Sequence, residues 1–525
     1  MYGMNFAHPV MLYREMQRYP DHIKDLAEII RNAGGRAMLV GGCVRDELMG
    51  LEPKDWDVEV YGVEPERLKD ILTEFVAGLS VPAAETQVRR VEERPQTGGD
   101  GQEAHPRSEI CDRRSTNSNS ANDLNIVGEA FAVYKIGRHL DVSLPRRERK
   151  SGSGHRGFVV EGDPEMSFKE ACSRRDLTVN AILLDPLTGE IVDPYNGRND
   201  IAKNVLRHVS DDTFGEDSLR VLRAAQFAAR LGFDIAPATV ELCRTIDVTD
   251  LPKERIWGEI EKLLILAKKP SIGLKWLYGL GVAEQLFPEL MSLVGVPQEP
   301  EWHPEGDVDV HTMMVADEAR LLIDDLDHPR KVAVMLGAVC HDLGKPPTTE
   351  YIEGRWRSRG HDEAGIEPTI SFLDTLGIYT LNGFDVSEQV VQLVRYHLKP
   401  GEYFNAEKKH PVGDGAFRRI ARKVEPDLLY RVAKADTLGR YPEGRVELRT
   451  FDSEAQEWFL ARIRSLNIEK KAPDPILMGR HLIELGMKPG PEFRSILDTV
   501  YEMQLDGKIE DLDEAMKMAR SASKL

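Results

Sequence analysis

VGGCVRDELMGLEPKDWDVEVYG, Val40 to Gly62, is the stretch that decides the fold. Gly41 and Gly42 follow the apolar strand-like run AMLV and precede Cys43-Val44-Arg45-Asp46 in a helical pattern, so the glycines sit where a strand turns into a helix. Glycines at such a turn let backbone N–H groups approach a phosphate, and a helix N-terminus favours negative charge. Asp55 and Asp57 flank Trp56 and lead into the apolar Val58 and Val60. Residues two apart on a strand share a face, so the two carboxylates project together. Carboxylates that close repel unless cations lie between them, and hard oxygen ligands suit Mg²⁺. Either feature alone would read as a turn or a solvated strand end. In the order strand, GG, VRD, DxD, strand they point to phosphate and metal chemistry.

Outward from this stretch, the chain has 525 residues, with 69 Lys and Arg against 88 Asp and Glu, a formal charge of −19. At roughly 100 to 200 residues per domain that length implies three or four domains. Hydrophobic residues at 41% and charged residues at 30% exclude a mainly disordered chain, a collagen and a coiled coil. The acidic balance speaks against a uniformly basic, polyanion-coating surface. Cys43, Cys111, Cys172, Cys243 and Cys340 form no CxxC pair and support neither a disulfide framework nor a zinc knuckle. The N-terminal sequence lacks a secretory pattern and no run reaches a membrane-spanning length, which reads as a cytoplasmic protein with no membrane partner. A helix is expected at about Asp21 to Ala33. Strand and helix alternate to about residue 80, periodicity vanishes from about Ala84 to Asn125, and strand-like AFAVYKI, HLDVSL and AILLDP follow. Helical periodicity dominates from about residue 210, with breaks at GVPQEPEWHPEGD and KKAPDP.

Three later segments carry chemistry. Within GEDSLRVLR, residues Asp217, Arg220 and Arg223 recur every three on one helical face. An Asp acceptor beside an Arg fork can meet the Watson–Crick edge of a base; the alternative is an exposed salt-bridged face. In SRRDLTVNAILLDPLTGEIVDPYNG, from Ser173, Arg175 and Asp176 can hold triphosphate and ribose, or else be a surface Arg and a helix cap. PKERIWGEIEKLL begins at Pro252. With Val40 to Gly62, these segments resemble, in order, the motifs of the class II tRNA nucleotidyltransferase (CCA-adding) and bacterial poly(A) polymerase family, within the DNA polymerase beta superfamily. The resemblance implies two Mg²⁺ ions at the catalytic Asp55 and Asp57. It implies nucleotide binding by Gly41, Gly42, Arg45, Arg175, Asp176, Asp217, Arg220 and Arg223, with Asp141 in HLDVSL a candidate third carboxylate. Position 226 is Gln where the family often carries Arg. The basic LPRRERKSGSGHR, Leu144 to Arg156, lies where the family has a loop linked to the switch from adding C to adding A.

A second constellation follows. His311 starts a helical run, His341-Asp342 ends an apolar one, and His361, His397 and Asp436 come later. This pattern resembles the HD phosphohydrolase domain, which implies His311, His341, Asp342 and Asp436 as ligands of a transition metal such as Ni²⁺, Mn²⁺ or Fe²⁺. Lys345, His361 and His397 are then candidates to bind phosphate or substrate. His303, His328 and His410 are read as structural.

The expected fold is α+β: an N-terminal polymerase-beta-like nucleotidyltransferase head with a small sheet, then an all-α neck, a helical HD domain and a helical tail. The boundaries are an N-terminal helix at 1–35, the head at 36–200 with a mobile insertion at 84–125 and a flexible loop at 144–163, the nucleotide-selecting and neck region at 201–295, the HD domain at 300–450 and the tail at 451–525. The resemblance implies template-independent addition and repair of the tRNA 3′-terminal CCA from CTP and ATP. It further implies 2′,3′-cyclic phosphodiesterase or phosphatase activity in the HD domain, in a monomer or dimer. The alternatives are a poly(A) polymerase, an A-adding enzyme, or an HD phosphohydrolase whose head only binds RNA. Lys399 to Val424 holds seven Lys and Arg against three Asp and Glu and is read, with Leu144 to Arg156, as basic surface for RNA.

Overall fold

The computed structural model describes residues 19–79, 124–127, 133–150 and 158–522. Residues 84–123 of the expected insertion and 151–157 of the expected loop lie outside them. The chain divides into two compact units, residues 1–203 with 208–214, and 204–207 with 215–525.

The first unit is built on a seven-stranded sheet. Its strands are β1 (Arg36–Val40), β2 (Trp56–Tyr61), β3 (Leu124–Val127), β4 (Val133–Ile136), β5 (Leu140–Ser143), β8 (Leu183–Leu184) and β9 (Ile191–Val192), in the order β3-β4-β5-β2-β1-β8-β9. Alternation in WDVEVY sets the pleat: Trp56, Val58 and Val60 are buried, while Asp57 and Glu59 face the other way. β1 and β2 are antiparallel, and β2 pairs in parallel with β5, which sets Asp57 directly opposite Asp141. Helix α1 (Asp21–Asn32) buries Ile23, Leu26, Ala27 and Ile30. Helix α3 (Pro65–Leu79) adds Leu68, Ile71, Leu72 and Phe75 to the same core. Each such fully buried Leu, Ile or Phe side chain contributes about 1.5–3 kcal/mol. Between β1 and β2 lies helix α2 (Gly42–Leu48), carrying Arg45.

Two expectations for this unit need correction. Leu124 and Asn125 belong to β3, not to an aperiodic insertion, because they pair with Ile136 and Lys135 of β4. The segment expected as a loop at 144–163 contains an antiparallel hairpin, β6 (Arg146–Lys150) on β7 (Phe158–Gly162). Its charge density hid the strand pattern, since backbone pairing does not require apolar side chains.

The second unit is helical. Leu219–Leu231 packs on Lys253–Leu266 and Pro270–Gly279. Val308–Arg320, His328–Cys340, Val386–Tyr396 and Pro426–Leu438 pack together around the HD residues. His328–Cys340 is capped by Asp327, whose side chain accepts from the Arg330 N–H, and is buried from Val332 to Cys340. A small core of its own, including Leu482, Ile496, Val500 and Ala515, holds the tail helices. The basic segment Lys399 to Val424 is not open RNA surface throughout. Arg419 donates to Glu502 and Asp506, Arg422 donates to Glu502, and Arg418 donates to the Leu505 carbonyl, so these arginines dock the tail helix Pro491–Leu505. Among the described residues no helix is long and apolar enough to cross a membrane.

Candidate active sites

In the first unit, Gly41 ends β1 at φ 76°, a conformation that disfavours any side chain. A Cβ there would lie 3.1 Å from Arg175 Nη1 and 3.6 Å from Asp57 Oδ2, so turn, guanidinium and carboxylate converge. Burial pushes the Asp57 carboxyl up; Asp141 and Asp55 push the same way, and Arg175 and Lys135 oppose them. Asp141 Oδ2 is held 2.5 Å from Lys135 Nζ. Asp55 precedes β2 by one residue and is exposed, its Oδ1 2.9 Å from His139 Nδ1. Carboxylates crowded around Asp57 in this way are a group that divalent cations relieve, and the all-oxygen donor set fits Mg²⁺.

Glu59 was missed in the sequence, although its spacing from Asp57 put it on the same face. Its Oε1 is 3.7 Å from Arg175 Nη2. Arg45 and Asp176, expected as nucleotide ligands, are buried. Arg45 Nη1 donates to Asn180 Oδ1 at 2.7 Å, and Asn180 Nδ2 donates to Asp176 Oδ1 at 3.1 Å. This network ties α2 to the RRD segment and sets the backbone from which Arg175 projects.

In the second unit, Asp217 stands just ahead of Leu219–Leu231 and accepts from Arg255 Nη2 at 2.9 Å. Arg255 comes from the PKERIWGEIEKLL segment, so that helix braces the Asp. The Arg223 guanidinium lies 5.2 Å from the Phe227 ring centroid and 3.9 Å from Glu259. Arg220 is half-buried on the same helix. Gln226 is 1% exposed, and its Nε2 is without a hydrogen-bond partner among the described residues. An amide there avoids placing a further guanidinium in the interior.

The HD residues converge. His311 Nε2 is 3.1 Å from Asp436 Oδ1 and 3.4 Å from His341 Nε2, and His341 Nε2 is 3.1 Å from Asp342 Oδ2. His361 Nε2 lies 3.5 Å from Asp342 Oδ1 and 3.2 Å from His397 Nε2. The Nδ1 atoms of His341, His361 and His397 donate to the carbonyls of Ala338, Ser358 and Val394 at 2.8, 2.7 and 2.6 Å. Those bonds fix the tautomer, so each Nε2 presents a lone pair to the centre. Lone pairs facing one another beside carboxylates are relieved by a cation between them, and the imidazole–carboxylate set fits a transition metal. Gly344 makes the assembly compact: a Cβ there would meet the His361 carbonyl at 2.0 Å.

One residue of this cluster, Glu305, went unread, and His303 was read only as structural. Glu305 Oε1 is 2.7 Å from His311 Nδ1 and 2.8 Å from His303 Nδ1, so His303 belongs to the surround of the site and is not merely structural. Both lie in the Pro-containing break before the first HD helix, where no periodicity marked them. Burial opposes it, yet contact with His303 and His311 holds the Glu305 carboxyl at about 2. Burial, with His361 and His341 adding, depresses His397 to about 3. Asp436 is held well below its usual value against desolvation by Arg440 and His311. Lys345 Nζ is 2.8 Å from Asp342 Oδ2 and donates to Gln298 at 2.7 Å. His303, Asp342, Lys345, His397, Asp436 and Arg440 are among the residues that line a cavity of about 310 Å³.

Residues 37–207 match the poly(A) polymerase head domain, 232–293 the probable RNA and SrmB-binding site of polymerase A, and 308–438 the HD domain. The multifunctional CCA protein of Pasteurella multocida (strain Pm70) is 38% identical over 339 residues, which is 63% of this chain and 67% of that one. That of Actinobacillus pleuropneumoniae serotype 5b (strain L20) is 35% identical over 367 residues, 68% of this chain and 74% of its own. The chain belongs to the CCA-adding tRNA nucleotidyltransferase family. Its architecture agrees with solved members of that family. The Bacillus stearothermophilus CCA-adding enzyme in complex with CTP has a TM-score of 0.57 at 20% identity, covering 96% of this chain and 98% of that one. The Thermotoga maritima CCA-adding enzyme complexed with tRNA gives 0.52 at 16% identity, with 97% of each chain covered. Within the CCA-adding family this chain is a member that carries an HD domain.

Proposed function

We propose that the chain builds and repairs the 3′-terminal CCA of tRNA from CTP and ATP, without a nucleic-acid template. The observation that carries this reading is the register of β2 on β5, which sets Asp57 against Asp141 beside the Gly41 turn and Arg175. Mg²⁺ held by Asp55 and Asp57 would supply the charge that activates the RNA 3′-OH and neutralises the departing pyrophosphate. Asp141 shares that charge through the strand pair, Gly41 admits the triphosphate close to the backbone, and Arg175 offers it a guanidinium. Asp217, braced by Arg255, and Arg220 and Arg223 present the acceptor and donors that select the base.

The HD cluster favours a second activity, hydrolysis of phosphoesters such as 2′,3′-cyclic phosphates. His311, His341, Asp342 and Asp436 would hold the metal, with His361 and His397 converging on the same Asp342. A transition metal bound there would supply a hydroxide nucleophile at neutral pH. Lys345 and Arg440 steady the two carboxylates that face it.

The deciding assay gives purified protein a tRNA ending at the discriminator base, and in parallel one ending in CC, each with CTP alone, ATP alone, or both. Three residues added and then a stop is the expected result. A long A ladder would mean a poly(A) polymerase, addition of A only to tRNA ending in CC an A-adding enzyme, and no addition a head that only binds RNA. Metal-reconstituted protein that fails to turn over 2′,3′-cAMP would remove the second activity.

A further inference from the structure

The HD cavity has a floor and a wall of different chemistry. The floor is Asp342, His361, His397 and Asp436. The wall includes Trp302, Trp356, Arg357 and Arg359, three of them on or next to the hairpin in which Thr349–Ile352 pairs with Arg355–Ser358. Hydrolysis of a simple phosphoester needs only the floor. Trp356 is nonetheless positioned there, its backbone N–H donating to Glu299 at 3.1 Å and its ring meeting Tyr351 edge-on with centroids 5.0 Å apart. Trp302 is 44% exposed, a cost in water that a stacking ligand would recover. Arg357 has a buried Nε without a hydrogen-bond partner among the described residues, and its Nη2 is 3.6 Å from Glu353; Arg359 is exposed.

Aromatic faces interleaved with guanidinium groups are the means by which proteins hold unpaired bases and their phosphates. A volume of about 310 Å³ is near the lower end for a small-ligand site and suits one nucleotide, not a duplex. We propose that Trp356 and its hairpin make the HD site selective for nucleoside phosphates, the base stacking on Trp356 while Arg357 and Arg359 take the phosphate that would continue an RNA strand. The inference rests on the reading of this site as a phosphohydrolase and adds the residue that chooses its substrate.

The test compares adenosine 2′-monophosphate with glycerol 2-phosphate, a phosphomonoester of a secondary alcohol that lacks a base. In the metal-reconstituted full chain, Trp356→Ala should lower the ratio of kcat/KM for the nucleotide to that for glycerol 2-phosphate by roughly tenfold or more, and Trp356→Phe should restore most of it. Turnover of glycerol 2-phosphate reports that the floor is intact in each variant. A ratio within about twofold of wild type in Trp356→Ala overturns the proposal, since stacking on the order of 1–3 kcal/mol would move it further. If wild type hydrolyses neither compound, the phosphohydrolase reading fails by itself, and calorimetric titration with adenosine 2′-monophosphate decides the rest. Binding weakened about tenfold by Trp356→Ala would sustain the base-binding role, whereas equal affinity would overturn it.

Discussion

The Nε2 atoms of His361 and His397 face each other 3.2 Å apart while both rings spend their Nδ1 protons on backbone carbonyls. Two acceptors at that distance repel, and a cation relieves them. Adding Ni²⁺ or Mn²⁺ to metal-free protein should therefore stabilise the HD helices, by about 2.7 kcal/mol at a hundredfold excess over Kd. Calorimetric unfolding with and without metal reads this directly. An unchanged transition would refute the metal site.

Glu305 fixes His311 from behind, through the ring nitrogen that does not face the centre. Carboxylates in that position typically carry a tenfold to hundredfold effect on metal affinity. Glu305→Ala should weaken metal binding by about that factor with the Nε2 cluster still assembled, and Glu305→Gln should fall between. Competition titration against a chromogenic chelator would measure it, and wild-type affinity in Glu305→Ala would exclude the role.

Asp57 has its pKa raised by burial and by the neighbouring Asp141 and Asp55. A carboxyl raised above its unfolded value makes the folded head take up protons, so its contribution to stability improves as pH falls through that value. Asp57→Asn should abolish nucleotide incorporation and yet raise the melting temperature of metal-free protein at neutral pH. A lowered melting temperature would show that the carboxylate is structural and not held in a strained cluster.

His303 moves the other way, depressed to about 4 by burial, with Lys345, His311 and Arg440 adding and Glu305 opposing. The unfolded chain then binds the proton that the folded one refuses. The stabilising difference is complete above about pH 6.5 and is lost as pH falls towards 4. Metal-free His303→Asn should show a shallower loss of melting temperature across that window than wild type. Parallel curves would mean that another group controls the acid limb.

Arg419 joins the HD side of the second unit to the tail through Glu502 and Asp506. Its pairs are partly exposed, worth about 0–1 kcal/mol each. Arg419→Ala should quicken protease cleavage near Ala472 to Pro475 while leaving the salt dependence of tRNA binding as it was. A reduced salt slope would instead put Arg419 on phosphate.

Much of this was legible in the chain because the relevant signals were local. The GG turn, the alternating WDVEVY and the apolar run before His341-Asp342 each carry their structure within a few residues, and the family resemblance ordered them. Glu305 and Glu59 were not legible in the same way. Glu305 acts through His311 from an aperiodic break, and the role of Glu59 depends on Arg175 arriving from more than a hundred residues away. The arginines of Lys399 to Val424 looked like RNA surface because composition cannot show that Glu502 and Asp506 fold back onto them. Likewise β6 was disguised by its own charges, since its pairing with β7 runs through the backbone.

The order β3-β4-β5-β2-β1-β8-β9 puts β3, which begins at Leu124, at the rim of the sheet, with β4 and β5 between it and the strand bearing Asp57. Chain length added at that point is met by loop closure, whose cost grows only logarithmically with length. The Asp57–Asp141 register is thus insulated from what is spliced in upstream of β3, and the head can be elaborated there without recalibrating its chemistry.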